Sequence, residues 1–341
     1  MTKEKMLGAL YGAAIGDALG APTELRNTNQ ILETFGRYVK EYTLAPNDTF
    51  ARDYPAGTIT DDFSMSYYLM QAIIDHQGDF TEEIAQQAII NWGTDDYYFD
   101  KFAGPTTRTA IENMKAGRPT DVDPFGLINY SGLATNGGAM KTIPLALLAN
   151  GNVEKALEYT ILMCKPTHFN SNAISAAAAI CCGATNALTE KATLETIIEA
   201  AVWGAKKGRE YGEQQHHISV GVDIAYKIQE AVKIGGHAAD FEQLLSETAN
   251  KVGTNFLVQE SIPAVFSLLA GVKGHTMSGI YAAVNVGGDT DTIASMLGGI
   301  LGGFNGIQSI PQKYIYDMEK VNSTLPLQST IETFVTLCSS R

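Results

Sequence analysis

Two short stretches of this sequence place carboxylates and hydroxyls at spacings that suit metal binding. Residues 287–292 read Gly-Gly-Asp-Thr-Asp-Thr, so two acids and two hydroxyls follow a glycine pair directly. Residues 57–62 read Gly-Thr-Ile-Thr-Asp-Asp and repeat the same chemistry far upstream. An all-oxygen site rich in carboxylates suits hard cations such as Mg²⁺, Mn²⁺ or Ca²⁺. The two stretches are therefore candidates for one shared cation site.

Each acidic stretch is followed by apolar residues at helical spacing. Met65, Leu69 and Ile73 follow the first stretch, and Ile293, Met296, Leu297, Ile300 and Leu301 follow the second. The acids thus lie at helix N-termini, where Asp and Thr also cap free N–H groups. Taken alone, each stretch is explained well by capping. If the two stretches meet, however, their carboxylates need a counter-charge, because neighbouring carboxylates disfavour one another's ionisation.

The rest of the chain also has mainly helical periodicity, with no convincing alternating strands, repeats or linkers. We predict one all-α domain over residues 1–341. Two long early loops, one over residues 41–58 and one between about 118 and 135, are candidates for the rim of a site, since such loops are usually functional. The predicted helices cover 3–19, 61–77, 81–93, 105–117, a stretch after 138, 152–164, 169–189, 191–208, 217–234, 239–250, 256–270, 276–286, 289–304, 311–321 and 326–338.

Composition excludes several classes of partner. The net charge of −13 and pI near 4.9 argue against nucleic acid, because phosphate contacts need clustered Lys and Arg. No apolar run is long enough for a membrane span. Lys3 and Lys5 precede an apolar stretch that resembles a signal peptide, but Asp17 interrupts it. Four cysteines without a CxxC pattern favour a reducing compartment, so we expect a cytoplasmic protein.

Three further features could form a binding site, and each has a simpler explanation. The glycines of Asn136-Gly137-Gly138 lie at a predicted helix start, so the turn could approach an anion or be a plain capped turn. His168 precedes a helix and could be catalytic, capping or a satisfied interior histidine. An aromatic loop could stack on a base or plug a helix crossing; it contains Tyr97, Tyr98, Phe99 and Phe102.

The order and spacing of these motifs resemble the ADP-ribosylglycohydrolase family. The similarity runs from about residue 5 to 315, and it implies a single-domain, all-α orthogonal helical bundle with a binuclear Mg²⁺ or Mn²⁺ centre. The residues that carry it are Gly16-Asp17-Ala18-Leu19-Gly20 with Glu24, Thr60-Asp61-Asp62, Asn136-Gly137-Gly138-Ala139-Met140, Thr167-His168 and the stretch 287–292.

The resemblance also implies roles for individual residues. Glu24 would lie at the mouth of the site beside the ribose. The Asn136-Gly137-Gly138 turn and His168 would contribute to substrate binding, and Asp100 aligns loosely with an aspartate assigned a catalytic role in some arginine-specific members. The implied metal ligands are Thr60, Asp61, Asp62, Asp289, Asp291 and Thr292. Three departures leave the linkage specificity open: Phe63 stands where many members have Thr, and Thr135 and Lys141 stand where Ser and Arg are frequent.

We therefore expect a metal-dependent hydrolase that cleaves a ribosyl bond, with ADP-ribosyl as the implied group. Two divalent ions would orient the ribose diol and activate water. Asp61 or Asp291 would accept the proton of that water, and Glu24 would act as a gate or general acid/base. The substrate would be an ADP-ribosylated protein or a small ADP-ribosyl compound. Two alternatives remain open: an N-glycosidase of a small nucleoside-like metabolite, and a catalytically silent crystallin- or sensor-like relative. The leaving group, the preferred cation and the oligomeric state are not determined.

Overall fold

Helices account for nearly all of the regular structure in a computed structural model, which describes residues 1–118 and 134–341. Within these two ranges there are seventeen α-helices and no strand, only two isolated bridges between single residues. The predicted all-α class is therefore confirmed. In the described ranges, none of the helices is long and apolar enough to cross a membrane.

The helices are numbered here in chain order. The first six are α1 (Lys3–Gly20), α2 (Thr28–Phe35), α3 (Asp61–Asp75), α4 (Glu82–Trp92), α5 (Asp96–Phe102) and α6 (Pro105–Lys115). The next six are α7 (Ile143–Leu148), α8 (Val153–Cys164), α9 (Ser171–Ala187), α10 (Leu194–Gln214), α11 (Ile224–Gly236) and α12 (Phe241–Glu247). The last five are α13 (Val258–Gly271), α14 (Thr276–Val286), α15 (Thr290–Asn305), α16 (Gln312–Val321) and α17 (Leu327–Ser339). Short turns of other helix types cover Asn136–Gly138, Thr248–Val252 and Ile307–Ser309.

The centre of the molecule is the packing of α1 against α15. Both helices are apolar around most of their circumference, and nearly every residue after the first turn of α1 and throughout α15 is buried. A helix that is apolar on all sides is stable only inside a large core. Pairs α9–α10 and α11–α13 pack around this centre. The C-terminus of α1 and the N-terminus of α15 lie at the same end of the pair, and the site is built there.

The sequence prediction differs from the structure mainly in two ways: it misses two short helices, and it ends one long helix too early. The short helices α2 and α5 were not predicted, because each is too short to show a clear apolar period. The helix α10 was predicted to end at 208 but continues to Gln214. Gly208 and Gly212 do not end the helix; a Cβ at either position would collide with the backbone of α9. The loop at 41–58 is non-helical as predicted, and most of the second predicted loop lies outside the described residues.

Candidate metal centre

The two acidic helix starts meet in the folded chain. Asp61 and Asp62 lie in the first turn of α3, and Asp291 and Thr292 lie in the first turn of α15. The hydroxyl of Thr292 donates to Asp62 Oδ2 over 3.2 Å. Two stretches separated by more than two hundred residues are thus joined by a direct hydrogen bond, as the sequence predicted.

A third helix supplies an acid that the sequence analysis did not include among the site residues. Asp17, near the C-terminus of α1, is fully buried. Its carboxylate accepts hydrogen bonds from Thr60 N at 2.9 Å, Thr60 Oγ1 at 2.8 Å and Phe63 N at 3.0 Å. Asp17 therefore holds the N-terminus of α3 against α1. The available signal was a lone carboxylate within an otherwise apolar helix, since such a group is buried only with partners.

The carboxylates form two overlapping groups of three. Oxygens of Asp17, Asp62 and Asp291 lie within 4.8 Å of one another, as do oxygens of Glu24, Asp289 and Asp291. Oxygens on opposite sides of a bound Mg²⁺ ion are about 4 Å apart, because each Mg–O bond is about 2.0–2.1 Å. Asp291 belongs to both groups. The spacing therefore fits two neighbouring cations that share one carboxylate.

Asp61 is close to this cluster without belonging to either group of three. Its carboxylate is repelled by those of Asp17 and Asp289, and its side chain is half-buried. Burial, then repulsion from Asp17, raises the pKa of Asp61 to about 7, and the Lys141 ammonium opposes this rise. The structure thus brings Asp61 to the edge of the acidic cluster.

Four more acids of the cluster have pKa values shifted in the same direction, namely Asp17, Glu24, Asp62 and Asp291. Burial raises the pKa of Asp17 to about 7, against the lowering effect of its hydrogen bonds from Thr60 and Phe63. Burial, followed by repulsion from neighbouring carboxylates, raises the pKa values of Glu24, Asp62 and Asp291 well above the usual range. Such a cluster holds protons at neutral pH unless cations replace them.

Two details are not explained by helix capping. Asp289 occupies the N-cap position of α15, yet its side chain makes no capping hydrogen bond. Asp62 Oδ1 is buried and has no hydrogen-bond partner. An unpaired buried carboxylate oxygen is costly. The donor set is entirely oxygen, and one of its carboxyl groups has a buried oxygen without a partner, so the residues fit hard divalent cations.

Glu24 lies where the end of α1 approaches the start of α15. The following residue, Leu25, donates its N–H to Gly288 O over 2.9 Å, and Gly288 N donates to Arg26 O over 2.8 Å. Unlike Asp62, Glu24 is partly accessible to solvent. It is thus the acid of the second group that lies at an open edge; its place beside the ribose stays a prediction.

The Asn136-Gly137-Gly138 turn reaches the acidic cluster directly. Asn136 Nδ2 donates to Asp289 Oδ2 over 2.5 Å, and Asn136 N donates to Phe256 O over 3.0 Å. The turn is a short 3-10 segment whose first and last residues are buried. The candidate substrate turn and the candidate metal ligands therefore form one continuous site.

His168 supports this turn from behind. Its ring nitrogens contact the hydroxyls of Thr135 at 3.0 Å and Thr167 at 2.7 Å, and the side chain is buried. A Cβ on Gly137 would lie only 2.9 Å from His168 Nε2. Burial, and the nearby Lys141 charge, hold the pKa of His168 well below its usual value, so the ring is neutral. These contacts fit the interior-histidine explanation.

Lys141 is a fully buried cation beside the cluster, and its Nζ has no hydrogen-bond partner. Burial lowers its pKa to about 8, while interactions with Cys164 and Asp61 act in the opposite direction. A buried ammonium is stable only near compensating negative charge. Lys141 therefore contributes resident positive charge to an otherwise acidic region.

Asp100 is not brought into the cluster. It is exposed on α5, and its backbone carbonyl oxygen lies 3.5 Å from Arg108 Nη2. The aromatic loop is part of the same helix. Tyr98 and Phe102 are buried while Tyr97 remains exposed, and the ring of Tyr97 packs 4.7 Å from that of Tyr54. Tyr98 and Phe102 therefore fill space between helices, which is the simpler of the two explanations given for the aromatic loop.

Comparison with known proteins gives a consistent result over nearly the whole chain. The sequence model of the ADP-ribosylglycohydrolase family matches residues 1–339. The uncharacterized protein YegU of Escherichia coli strain K12 is 27% identical over 326 residues, which is 94% of each chain. ADP-ribosylhydrolase ARH3 of Bos taurus is 23% identical over 93% of this chain and 89% of its own.

A solved structure agrees in fold. A chain of an ADP-ribosylglycohydrolase-related protein complex superposes with a TM-score of 0.69 at 21% identity, covering 99% of this chain and 98% of that one. At this identity the likeness concerns the fold. The predicted fold type is thereby confirmed.

Proposed function

This chain belongs to the ADP-ribosylglycohydrolase family, and we propose that it is a metal-dependent hydrolase that cleaves an ADP-ribosyl glycosidic bond. The observation that carries the proposal is the pair of carboxylate groups that share Asp291. Two adjacent all-oxygen sites suit two Mg²⁺ or Mn²⁺ ions. The proposed ligands are Thr60, Asp61, Asp62, Asp289, Asp291 and Thr292, with Asp17 now added to the set.

The metal ions, when bound, would supply Lewis acidity for the ribose hydroxyls and for water. The side chains of the protein would stabilise the charge that develops on the sugar and would transfer the protons. Cleavage at the anomeric carbon develops positive charge on the sugar, which a carboxylate-lined site stabilises. Asp61 and Asp291 are the candidates for accepting a proton, because burial and neighbouring carboxylates raise the pKa of both, to about 7 for Asp61.

Glu24 is proposed to act at the leaving-group side. It is partly accessible, and burial and nearby acids raise its pKa well above the usual value. A carboxyl that keeps its proton near neutral pH can donate it to a departing group. Glu24 would therefore serve as general acid toward the leaving group, while Asp61 or Asp291 takes the proton of the attacking water.

The substrate is proposed to lie along the Asn136-Gly137-Gly138 turn. The glycines allow close approach of an anion to backbone N–H groups, and Asn136 ties the turn to Asp289. His168 would act by holding the turn in place. Asp100 is exposed on α5 outside the acidic cluster, so its part in substrate binding stays a prediction.

An ADP-ribosylated protein, or a small ADP-ribosyl compound, is the proposed substrate, and the proposed compartment is the cytoplasm. The net charge of −13 means that an anionic substrate needs local positive features. Metal ions, the Asn136 turn and Lys141 would provide them. The four cysteines are free and buried, which is compatible with a reducing compartment.

The test is a hydrolysis assay on three substrates with and without metal. Metal-free protein would be incubated with ADP-ribosyl-arginine, ADP-ribosyl-serine and a free ribosyl N-glycoside, in EDTA, Mg²⁺ or Mn²⁺. The proposal expects release of ADP-ribose from at least one ADP-ribosyl compound, only with metal. Turnover of the ribosyl N-glycoside alone would favour the small-metabolite alternative. Metal binding without turnover of any compound would favour a silent relative.

A further inference from the structure

Helix α1 carries a glycine at every fourth position along its buried face. These residues are Gly8, Gly12, Gly16 and Gly20. Residues four apart lie on one face of a helix, and this face meets α15. A Cβ at Gly8 would lie 2.2 Å from Gly302 O, and a Cβ at Gly12 would lie 2.2 Å from Gly298 O. The two helices are therefore in backbone contact.

The same contact continues to the candidate metal centre. A Cβ at Gly16 would lie 2.1 Å from Ala294 O. At Gly20 it would lie 2.5 Å from Asp291 Cα and 2.6 Å from both Asp291 N and Thr290 O. The atoms that Gly20 contacts are thus the backbone of a proposed ligand.

Hydrogen bonds fix the helices at this end. Gly20 O accepts from Thr23 Oγ1 at 2.9 Å and from Thr290 Oγ1 at 2.9 Å. The Thr23 hydroxyl also lies 3.0 Å from Thr290 Oγ1 and 2.6 Å from Val284 O. The C-terminus of α1 cannot move away from the N-terminus of α15 without breaking this buried network.

We propose that Gly20 is a positioning residue for the metal centre: its missing side chain sets how closely α15 brings Asp291 to Asp17. The inference rests on the proposed function, since it concerns the same centre. A methyl group here would push against backbone, which cannot rotate away as a side chain can. The helices would have to separate by roughly 1 Å, whereas metal–ligand distances tolerate about 0.2 Å.

The chain provides a matched control at the opposite end of the same helix pair. Gly8 is twelve residues from Gly20, or about 18 Å along the helix. Gly8→Ala introduces the same methyl against α15 backbone with a similar overlap. Both variants disturb the helix packing, but only Gly20→Ala disturbs it at the carboxylates. A general loss of packing and a specific loss of positioning are thereby separated.

The experiment measures Mn²⁺ binding to metal-free wild type, Gly20→Ala and Gly8→Ala by calorimetry, alongside their melting temperatures. We expect similar losses of melting temperature in both variants. Mn²⁺ affinity should fall about 10- to 100-fold in Gly20→Ala, the range typical of groups that support metal ligands, and remain at the wild-type value in Gly8→Ala. Equal affinities in the two variants would overturn the positioning role.

If Gly20→Ala does not fold, Thr23→Val decides the question. This nearly isosteric change removes the hydroxyl that contacts Gly20 O of α1, Val284 O of α14 and Thr290 Oγ1 of α15 at the same end of the helix pair. Weaker Mn²⁺ binding in a folded Thr23→Val protein would support the inference, and unchanged binding would overturn it. Wild-type protein that binds no Mn²⁺ would reject the metal centre itself, and the inference with it.

Discussion

Replacing Asp62 with asparagine should stabilise the metal-free protein and remove the stabilisation that metal gives. Asparagine has nearly the same shape, carries no charge and can donate an N–H to a neighbouring carboxylate. Asp62 Oδ1 is buried without a hydrogen-bond partner, and relieving such an unsatisfied buried group is worth about 1–3 kcal/mol. For 341 residues the unfolding entropy is about 0.7 kcal/mol per kelvin, so the melting temperature should rise by about 1–4 °C.

Metal should cancel or reverse the difference in melting temperature between the two proteins. At a concentration of 100 times the dissociation constant, Mg²⁺ stabilises the wild type by about 2.7 kcal/mol, or about 4 °C by the same conversion. Asp62→Asn should gain much less, because the group formed by Asp17, Asp62 and Asp291 loses one of its charged ligands. Calorimetric melting in EDTA and in MgCl₂ at pH 8 measures both effects, with Asp100→Asn on exposed α5 as the control.

Without metal, the stability that Asp62→Asn gains over the wild type depends on pH in a definite direction. The pKa of Asp62 is raised by folding, so the folded protein holds a proton that the unfolded chain has already lost. The wild type therefore loses stability as pH rises above about 4, and the benefit of asparagine grows over the same range. A less stable Asp62→Asn protein in EDTA at pH 8, or an undiminished response to Mg²⁺, would refute the reasoning.

Three more predictions follow from the site. Metal affinity should increase as pH rises through about 7, where Asp61 loses its proton, with proton release visible as a buffer-dependent heat; pH-independent affinity would contradict this. Gly288→Ala should cost more stability than Gly36→Ala: both have positive φ, which costs about 1–2 kcal/mol for alanine, but only Gly288 also meets a carbonyl oxygen at 2.2 Å. Equal melting temperatures would argue against that close approach. Asn136→Ala should lower kcat/KM by about 10- to 100-fold, the equivalent of one hydrogen bond to a charged group, while Mn²⁺ still binds; unchanged kinetics would exclude a role for the turn.

The parts of the site that were predictable are those encoded locally. The stretches 57–62 and 287–292 each combine a cap, acids and an apolar period, so their places at the starts of α3 and α15 could be derived. Their meeting was a hypothesis from the recurrence of the same residue types, and the Thr292 to Asp62 hydrogen bond confirms it.

The parts that were missed depend on contacts between distant segments. Asp17 looks like an interruption of an apolar helix until α3 docks on it. The bond from Asn136 to Asp289 joins residues 153 positions apart, and nothing local to either residue encodes it. Gly208 shows the reverse case, because a residue that usually ends helices serves here for close packing against α9.

Anomalous diffraction from a crystal soaked in Mn²⁺ tests the central claim most directly. The account predicts two neighbouring peaks, one within the group formed by Asp17, Asp62 and Asp291 and one beside Glu24 and Asp289. A crystal with no anomalous density between α3 and α15, at a Mn²⁺ concentration that saturates any binding seen in solution, would contradict it.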